Sequence, residues 1–330
     1  MMLDSGRFRE VGGVAFTAAC CALAGLAACG AAPAAVPRAP SAPPPTFESH
    51  WQDGRAELAG YRYHVTRYGQ RREGRCAMIT VTEPFSASKH VKVDDPAANP
   101  PDTFEALKLN LVRHFQTGIY DYNTIVSLFT RSRDFAPVKV AFSCAEWCGQ
   151  VYEEDIFGSQ GISGFFRSYF ENESANIRLP ARGGGVEEDD LFILLRGLRG
   201  DYLPPGGTRS VALFPSPFIR RLAHRPAGWV AADIGRAPQP QRVVVPAGTF
   251  DAVLYTVRVG DGRTGRFWIE VLYPHRILRW AWTDVPGKGT GRMAGDGLDE
   301  GELIRSARLP YWRLNQPGDE SYLREIGLGR

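Results

Sequence analysis

Apolar and polar residues alternate along much of this chain, which is the pattern of strands with one buried face. Tyr61, Tyr63 and Val65 share one face of such a run. A polar break at 69–74 separates it from a second run at 76–82, and two runs around a short polar loop predict an antiparallel hairpin. The other predicted strands are 119–130, 137–145, 148–157, 162–171, 208–214, 228–234, 241–246, 250–259, 265–273, 277–284 and 301–309.

One segment predicts a longer helix. Asp102 and Glu105 have the spacing of a capping box. Leu107, Leu111 and Phe115 then fall on one helical face. We therefore expect a helix here that packs its apolar side across a sheet.

Three shorter segments complete the prediction. Residues 191–196 and 319–326 are candidate short helices. The sequence ARGGGVEEDD at 181–190 predicts a flexible acidic loop, the best candidate for a subdivision of the body. Consecutive strands joined by short turns favour a mainly β (β-rich α+β) fold, built as a curved antiparallel sheet or open barrel with one or two packed helices.

Composition excludes several classes of protein. The chain has 330 residues, of which 44% are hydrophobic and 23% charged, so it is neither disordered nor a multispanning membrane protein. The formal net charge is only +3, which gives no indication of a nucleic-acid partner.

The first residues predict where the protein resides. Residues 1–28 combine a basic start with an uncharged apolar stretch, the pattern of a secretory signal. The stretch ends in Leu26-Ala27-Ala28-Cys29, which resembles the lipobox of bacterial lipoproteins. The resemblance implies cleavage before Cys29 and lipid on its thiol, so that acyl chains such as palmitate hold the protein on a membrane. An uncleaved anchor is the alternative, because an apolar stretch of about 18 residues can just span a bilayer.

The residues after the lipobox predict the attachment of the body. Gly30 follows the cysteine, and by resemblance to the sorting rule of enterobacterial lipoproteins this favours the periplasmic face of the outer membrane. Residues 29–45 contain six prolines and predict an extended tether. Residues 46–330 are then the periplasmic body.

A second resemblance concerns the body. Val245–Asp251 contains Pro-Ala-Gly-Thr-Phe, and the strands around Phe267–Glu270 and Arg276–Trp280 follow it. This order resembles an exported bacterial family of unknown function. The resemblance implies a curved antiparallel sheet, of the open β-barrel kind seen in the lipoprotein carriers LolA and LolB. It supplies no catalytic residues.

The chain also resembles proteins labelled septum formation inhibitor Maf. The Maf nucleotide pyrophosphatases carry a Ser-rich loop with two arginines near the start of an α/β fold. The present sequence has no such loop at a strand-to-helix junction. We therefore do not infer pyrophosphatase activity from the label.

The cysteines and acidic runs are candidates for chemistry. Cys76, Cys144 and Cys148 remain after the signal and the lipobox, and an odd number in an oxidising compartment predicts one disulfide, with its pairing open, and one buried thiol. The acidic runs Glu153–Asp155 and Glu187–Asp190 lack the alternating oxygen spacing of a calcium loop, so we interpret them as solvated turns. No metal site is predicted.

Two further features concern cofactors and ligands. Residues 260–265 match G-x-G-x-x-G but lie between two strands, so we interpret them as a hairpin turn and predict no cofactor. Trp268, Trp280 and Trp282 crowd into the C-terminal strands. They are candidates for the lining of a ligand cavity, and core filling is the alternative.

Together these features favour an envelope lipoprotein that binds rather than catalyses. Its ligand would be a lipid or another envelope component, by analogy with carrier folds. The alternative is a cell-envelope hydrolase whose site is assembled only in three dimensions. A third hypothesis is a scaffold that joins other envelope proteins.

Overall fold

The computed structural model describes residues 45–284 and 299–329. This part of the chain is dominated by strands that form one large, open, curved sheet. The strands are β1 (Ala56–Arg67), β2 (Gln70–Ser86), β3 (Thr103–Thr117), β4 (Tyr120–Arg131), β5 (Pro137–Glu146), β6 (Gly149–Gly158), β7 (Gly161–Ser168), β8 (Ala175–Pro180), β9 (Val186–Glu187), β10 (Thr208–Phe214), β11 (Val230–Arg236), β12 (Gln241–Val245), β13 (Gly248–Val259), β14 (Arg263–Glu270), β15 (Ile277–Asp284) and β16 (Asp299–Leu309). The α-helices are α1 (Phe47–Trp51), α2 (Leu191–Leu194) and α3 (Pro217–Ala223), and 3-10 helices cover Pro100–Asp102, Tyr311–Arg313 and Asp319–Ile326.

Neighbouring strands in the sequence are mostly neighbours in the sheet. The order is β8-β7-β6-β5-β4-β3-β2-β1-β16-β15-β14-β13-β11-β10-β9, and β12 pairs with β13 beside this path. Pairing is antiparallel except between β9 and β10. The antiparallel pair of β1 and β16 joins the two halves of the chain. The mainly β fold class predicted from the alternating pattern is therefore confirmed.

The predicted helix from Asp102 to Phe115 is wrong, because Asp102 ends a 3-10 helix and the residues from Thr103 onward belong to strand β3. Leu107, Leu109 and Leu111 are all buried and lie on one face of that strand. The segment satisfies both the helical and the alternating pattern. The strand prevails because β2 and β4 pair with β3 along nearly its whole length, so tertiary context overrides the local helix signal.

The short predicted helices have different outcomes. Within the segment predicted at 191–196, only Leu191–Leu194 form the helix α2, and Gly197 lies in the turn that follows with a positive φ of 61°. The segment at 319–326 forms a 3-10 helix rather than an α-helix. The G-x-G-x-x-G segment connects β13 to β14 as a hairpin turn, as predicted.

The concave side of the sheet is filled by the chain itself. Residues 181–190 lie within one compact unit that extends from Pro44 to Arg330. The segment that follows them carries α2 and α3 into the main core cluster, where Phe192 and Phe218 are buried. Phe192 contacts Phe267 and Trp280 edge-on, with ring centroids 5.3 Å apart in each case. The interior is therefore packed around these two helices.

The two ends of the sheet meet through side chains. Ile162 and Ile177, from β7 and β8, form a small core cluster with Phe214 at the end of β10. The indole Nε1 of Trp229 donates a hydrogen bond of 3.1 Å to the carbonyl oxygen of Pro180. We call this junction, between β8 and the chain from β10 to β11, the seam. The sheet stays open there because β8 pairs only with β7.

Candidate functional site

A layer of buried ion pairs lies between α3 and the concave face of the sheet. Arg263 donates two hydrogen bonds of 2.8 Å to the carboxylate of Glu188, and both side chains are only 4% exposed. Arg113 lies 3.4 Å from Asp299, and its guanidinium stacks 4.3 Å from the Phe218 ring. The ion-pair layer consists of Arg113, Glu153, Asp155, Glu188, Arg220, Arg263 and Asp299.

Arg220 connects this layer to the seam. It projects from α3 and pairs with Glu153, and its Nη2 lies 3.4 Å from Asp155. Burial, followed by the neighbouring Glu153 carboxylate, raises the pKa of Asp155. A single guanidinium thus contacts two carboxyl groups from alternate positions of β6.

The two acidic runs are not solvated turns, so that interpretation is wrong. All four residues of Glu187–Asp190 are buried, and so are Glu153 and Asp155. Burial raises the pKa of Glu187 and Asp190 well above that of a free carboxyl, and raises the pKa of Asp189 to about 6. These side chains belong to the polar interior of the fold.

A cleft of about 430 Å³ opens at the seam, and we call it the seam cleft. It lies between β7 and β8 on one side and the end of α3 on the other. One part of its wall is apolar: Phe166, Ile177, Leu179, Pro226 and Ala227. The basic groups of its lining are Arg178, Arg220, Arg221, His224 and Arg225, and its acidic groups are Glu153 and Glu173.

The register of β8 adds backbone groups to this lining. The backbone N–H of Ala181 donates a hydrogen bond to the carbonyl oxygen of Gln160. From there, hydrogen-bonded and non-hydrogen-bonded residue pairs alternate along β7 and β8. The backbone groups of Ala175, Ile177 and Leu179 therefore face β7. Those of Asn176 and Arg178 point toward the cleft.

Glu173 holds two polar side chains at the mouth of the cleft. The Nδ1 of His224 lies 2.5 Å from its Oε1, and the hydroxyl of Ser168 donates a bond of 2.7 Å to its Oε2. Burial favours a higher pKa for Glu173, but the hydrogen bonds from His224 and Ser168 outweigh it and lower the pKa below the usual value. The carboxylate is thus ionised and fixes the orientation of the imidazole.

The position of His224 follows from local structure. Ser216 caps the N-terminus of α3, with Pro217 in the first turn. His224 ends the helix in a left-handed conformation with φ of 51°. This turn directs the chain from the helix into the lining of the seam cleft.

The predicted tryptophans occupy different faces of the sheet. Trp280 and Trp282 are buried, and Trp280 lies so close to Gly301 that a Cβ there would be 2.0 Å from the indole. Trp268 is partly buried and stacks with the guanidinium of Arg279 at 5.0 Å. The cavity beside Trp282 measures about 10 Å³, which is too small for an acyl chain. Trp280 and Trp282 therefore pack as core residues.

The three cysteines of the body are free thiols in the structure. Cys76 and Cys144 are buried on β2 and β5, and Cys148 is exposed in the turn after β5. Burial raises the pKa of the Cys76 thiol to about 12 and that of Cys144 to about 11. The predicted disulfide is not formed among these residues.

Three remaining predictions concern the lipobox, a membrane-spanning helix and a metal site. Leu26, Ala27, Ala28 and Cys29 are outside the described residues, as is the rest of the predicted signal. Within 45–284 and 299–329, no helix has the length and apolar character needed to cross a bilayer. In the same ranges, no group of three or more His, Cys, Asp or Glu side chains is arranged to hold a metal ion.

Sequence reasoning missed the seam cleft. Its residues come from 153, 166–179 and 220–227, and each stretch has an ordinary composition. A scan against protein-family models finds no match to this chain, and a search of curated proteins finds none either. Function is therefore inferred from the residues of the chain.

Proposed function

We propose that this protein is a lipoprotein on the periplasmic face of the outer membrane, and that its body binds an amphipathic ligand with an anionic head in the seam cleft. The anchor is the lipid on Cys29, and the prolines of residues 29–45 form the tether. The ligand is a lipid or a similar amphiphile of the envelope.

The observation that carries the proposal is the mixed lining of the cleft. Phe166, Ile177 and Leu179 offer an apolar wall to a hydrocarbon chain. Arg178 is exposed at the same cleft and is free of ion pairs among those described, so it offers a charge to a carboxylate or phosphate. The backbone N–H groups of β8 that face the cleft add donors.

The size and surroundings of the cleft agree with this ligand class. Its volume of about 430 Å³ is within the range of roughly 300–1,000 Å³ for small-molecule sites. The concave interior, in contrast, is filled by α2, α3 and the ion-pair layer. The seam is thus a better site than the interior for an amphiphile.

Binding is tested with dansyl-labelled undecanoic acid, which combines an acyl chain with a carboxylate. We expect saturable binding to the full-length protein in mild detergent, and an affinity roughly tenfold lower for Arg178→Glu because one attractive charge becomes repulsive. The matched control is Arg242→Glu, an equally exposed arginine on β12 outside the cleft. Equal affinities for the two variants would contradict the assignment of the cleft.

The anchor is tested separately. Cells that express the protein are labelled with a clickable palmitate analogue, and the Cys29→Ala variant is compared with the wild type. We expect label only on the wild-type protein, and that protein in the outer-membrane fraction. Equal labelling of both would contradict lipidation at Cys29. The ligand titration would still test binding in the cleft.

One observation favours a hydrolase as a second candidate. His224 is oriented by Glu173 and lines a cleft, as a general base would. However, the hydroxyl of Ser168 donates to Glu173 and not to His224, so the three groups lack the order of a serine hydrolase triad. Turnover of p-nitrophenyl butyrate that His224→Gln abolishes would establish this candidate, and turnover unchanged by that substitution would exclude a role of His224.

A further inference from the structure

Four neighbouring hairpins turn at the same end of the sheet, and each exposes an aromatic or large apolar side chain there. β1–β2 turns after Tyr68, β3–β4 at Ile119 and Tyr120, β5–β6 at Trp147, and β7–β8 at Tyr169. Trp147 and Tyr169 are each 65% exposed, and Ile119 is 69% exposed. We call these five residues the tip row.

Parts of the tip row lie against one another. The rings of Tyr120 and Trp147 are 6.3 Å apart, and Tyr169 packs over Gly149, which follows the Trp147 turn by two residues. Tyr68 is held near the same end of the sheet, because its hydroxyl is 2.9 Å from that of the buried Tyr122 on β4. Because alternate strands of a sheet are about 10 Å apart, four such turns span roughly 30 Å.

We propose that the tip row docks on the interfacial region of a lipid bilayer. Trp and Tyr combine an apolar ring with one polar group, and they are the residues that concentrate at the boundary between acyl chains and head groups. The side chains project from turns at one end, so they can enter that region without exposing strand backbone to the hydrocarbon.

The point where the described chain begins allows the tip row to reach the membrane that holds the anchor. This part of the inference rests on the proposed lipid at Cys29. The described chain begins beside the start of β1, at the end opposite the tip row. β1 has 12 residues and is therefore about 40 Å long. The sixteen residues 29–44 are proline-rich and can reach about 50 Å when extended. A lipid on Cys29 can thus share a membrane with the tip row.

The tip row also leads to the seam cleft. Tyr169 contacts Phe170 with ring centroids 5.4 Å apart, and Phe170 contacts His224 at 5.8 Å. His224 lines the cleft. A bilayer under the tip row would therefore lie beside the mouth of the cleft, where it can supply an amphiphile directly.

The opposite end of the sheet provides a matched control. Trp312, which is 45% exposed, follows β16, whose last residue Leu309 pairs with Ala56 at the start of β1. Leu272 is also exposed in the turn between β14 and β15 at that end. Trp147 and Trp312 are thus two exposed indoles at opposite ends of one sheet.

The experiment uses the full-length lipidated protein, reconstituted in phosphatidylcholine vesicles that contain no other protein. The vesicles are prepared with and without bromine-labelled acyl chains. Bromine quenches only indoles that reach the lipid. We expect quenching of the wild type, loss of more than about half of the quenched signal in Trp147→Phe, and little change in Trp312→Phe. Ile119→Asp, which places a charge in the tip row and leaves both indoles present, should lower the quenching at least about twofold.

Each outcome decides the proposal. Loss of quenching in Trp312→Phe but not in Trp147→Phe would show that the other end faces the membrane and would overturn it. No quenching of either indole would also overturn it. The fatty-acid titration is independent, because it measures the cleft in detergent without vesicles.

Discussion

The ion-pair layer and the seam cleft use the same residue types at two levels of burial, and both contact α3. In the layer, Arg263 and Glu188 are closed off from solvent and satisfy each other with two hydrogen bonds. In the cleft, Glu173 holds His224 while Arg178 faces solvent. Charged groups therefore stabilise the fold where they are enclosed, and they are available to a ligand where one side is open to solvent.

The largest expected effect comes from breaking the enclosed pair. Arg263→Met leaves the Glu188 carboxylate buried without a partner, and loss of one member of a buried pair costs roughly 3–5 kcal/mol of stability. Urea unfolding followed by circular dichroism measures this change. The matched control is Arg62→Met, because Arg62 pairs with Glu302 while its own side chain is 56% exposed, and such pairs contribute roughly 0–1 kcal/mol.

Equal and small losses for the two variants would show that the ion-pair layer is not enclosed in solution. Restoration of part of the loss by Glu188→Gln in the Arg263→Met background would identify the unpaired charge as the cause.

The acidic run gives an intermediate effect that depends on pH. The raised pKa of Glu187 and Asp190 means that the folded state binds protons which the unfolded state has released, so stability falls as the pH rises above the ordinary carboxyl range. The double variant Glu187→Gln and Asp190→Asn carries neutral amides at both positions, so it does not bind a proton there on folding. We expect it to be more stable than the wild type by about 1–2 kcal/mol at pH 8, with the difference vanishing near pH 4.

Glu154 lies between the two buried acids of β6 and is the control for this prediction. Burial favours a higher pKa for Glu154, but the hydrogen bonds from Lys139 and Tyr152 lower it. Its contribution is therefore present at neutral pH and is lost as the pH falls through the lowered value. Glu154→Gln should be less stable than the wild type at pH 7 and should approach it in acid. Parallel pH profiles for the two sets of variants would contradict the assignment of burial.

The smallest effect is expected at the cleft. Glu173→Gln removes a charge on a side chain that is 20% exposed and leaves one acceptor oxygen for His224 and Ser168, and should cost about 0.5–1 kcal/mol at pH 7. It also removes the negative charge closest to the cleft mouth. Affinity for dansyl-labelled undecanoic acid should therefore rise by roughly twofold to fivefold at low salt and return toward the wild-type value at high salt. Unchanged affinity at both salt concentrations would place the anionic head elsewhere.

Most of the sheet follows from the alternating pattern, because each hairpin is local. The predicted strands at 137–145 and 208–214 match β5 and β10 to within one residue. β3 was the exception, since Leu107 and Leu111 fit a helical face as well as a strand face. Only the strands beside it decide between the two, and this information is not local.

The site could not be predicted in the same way. The runs Glu153–Asp155 and Glu187–Asp190 have the composition of surface turns, and only partners far along the chain make them internal. Arg220 is 67 residues from Glu153, and Arg263 is 75 residues from Glu188. Neither Arg220 nor Arg263 lies on a predicted strand or helix, so the sequence pattern carries no signal of these pairs.

Ligand binding at the seam is tested most directly by native mass spectrometry of the protein extracted from membranes in mild detergent. We expect a bound amphiphile on the wild type that is lost in Ala227→Trp, whose indole fills the seam cleft, and retained in Ala237→Trp, a position outside the cleft that is also half-buried. Retention of the same ligand by both variants, or its absence from the wild type, would contradict ligand binding at the seam.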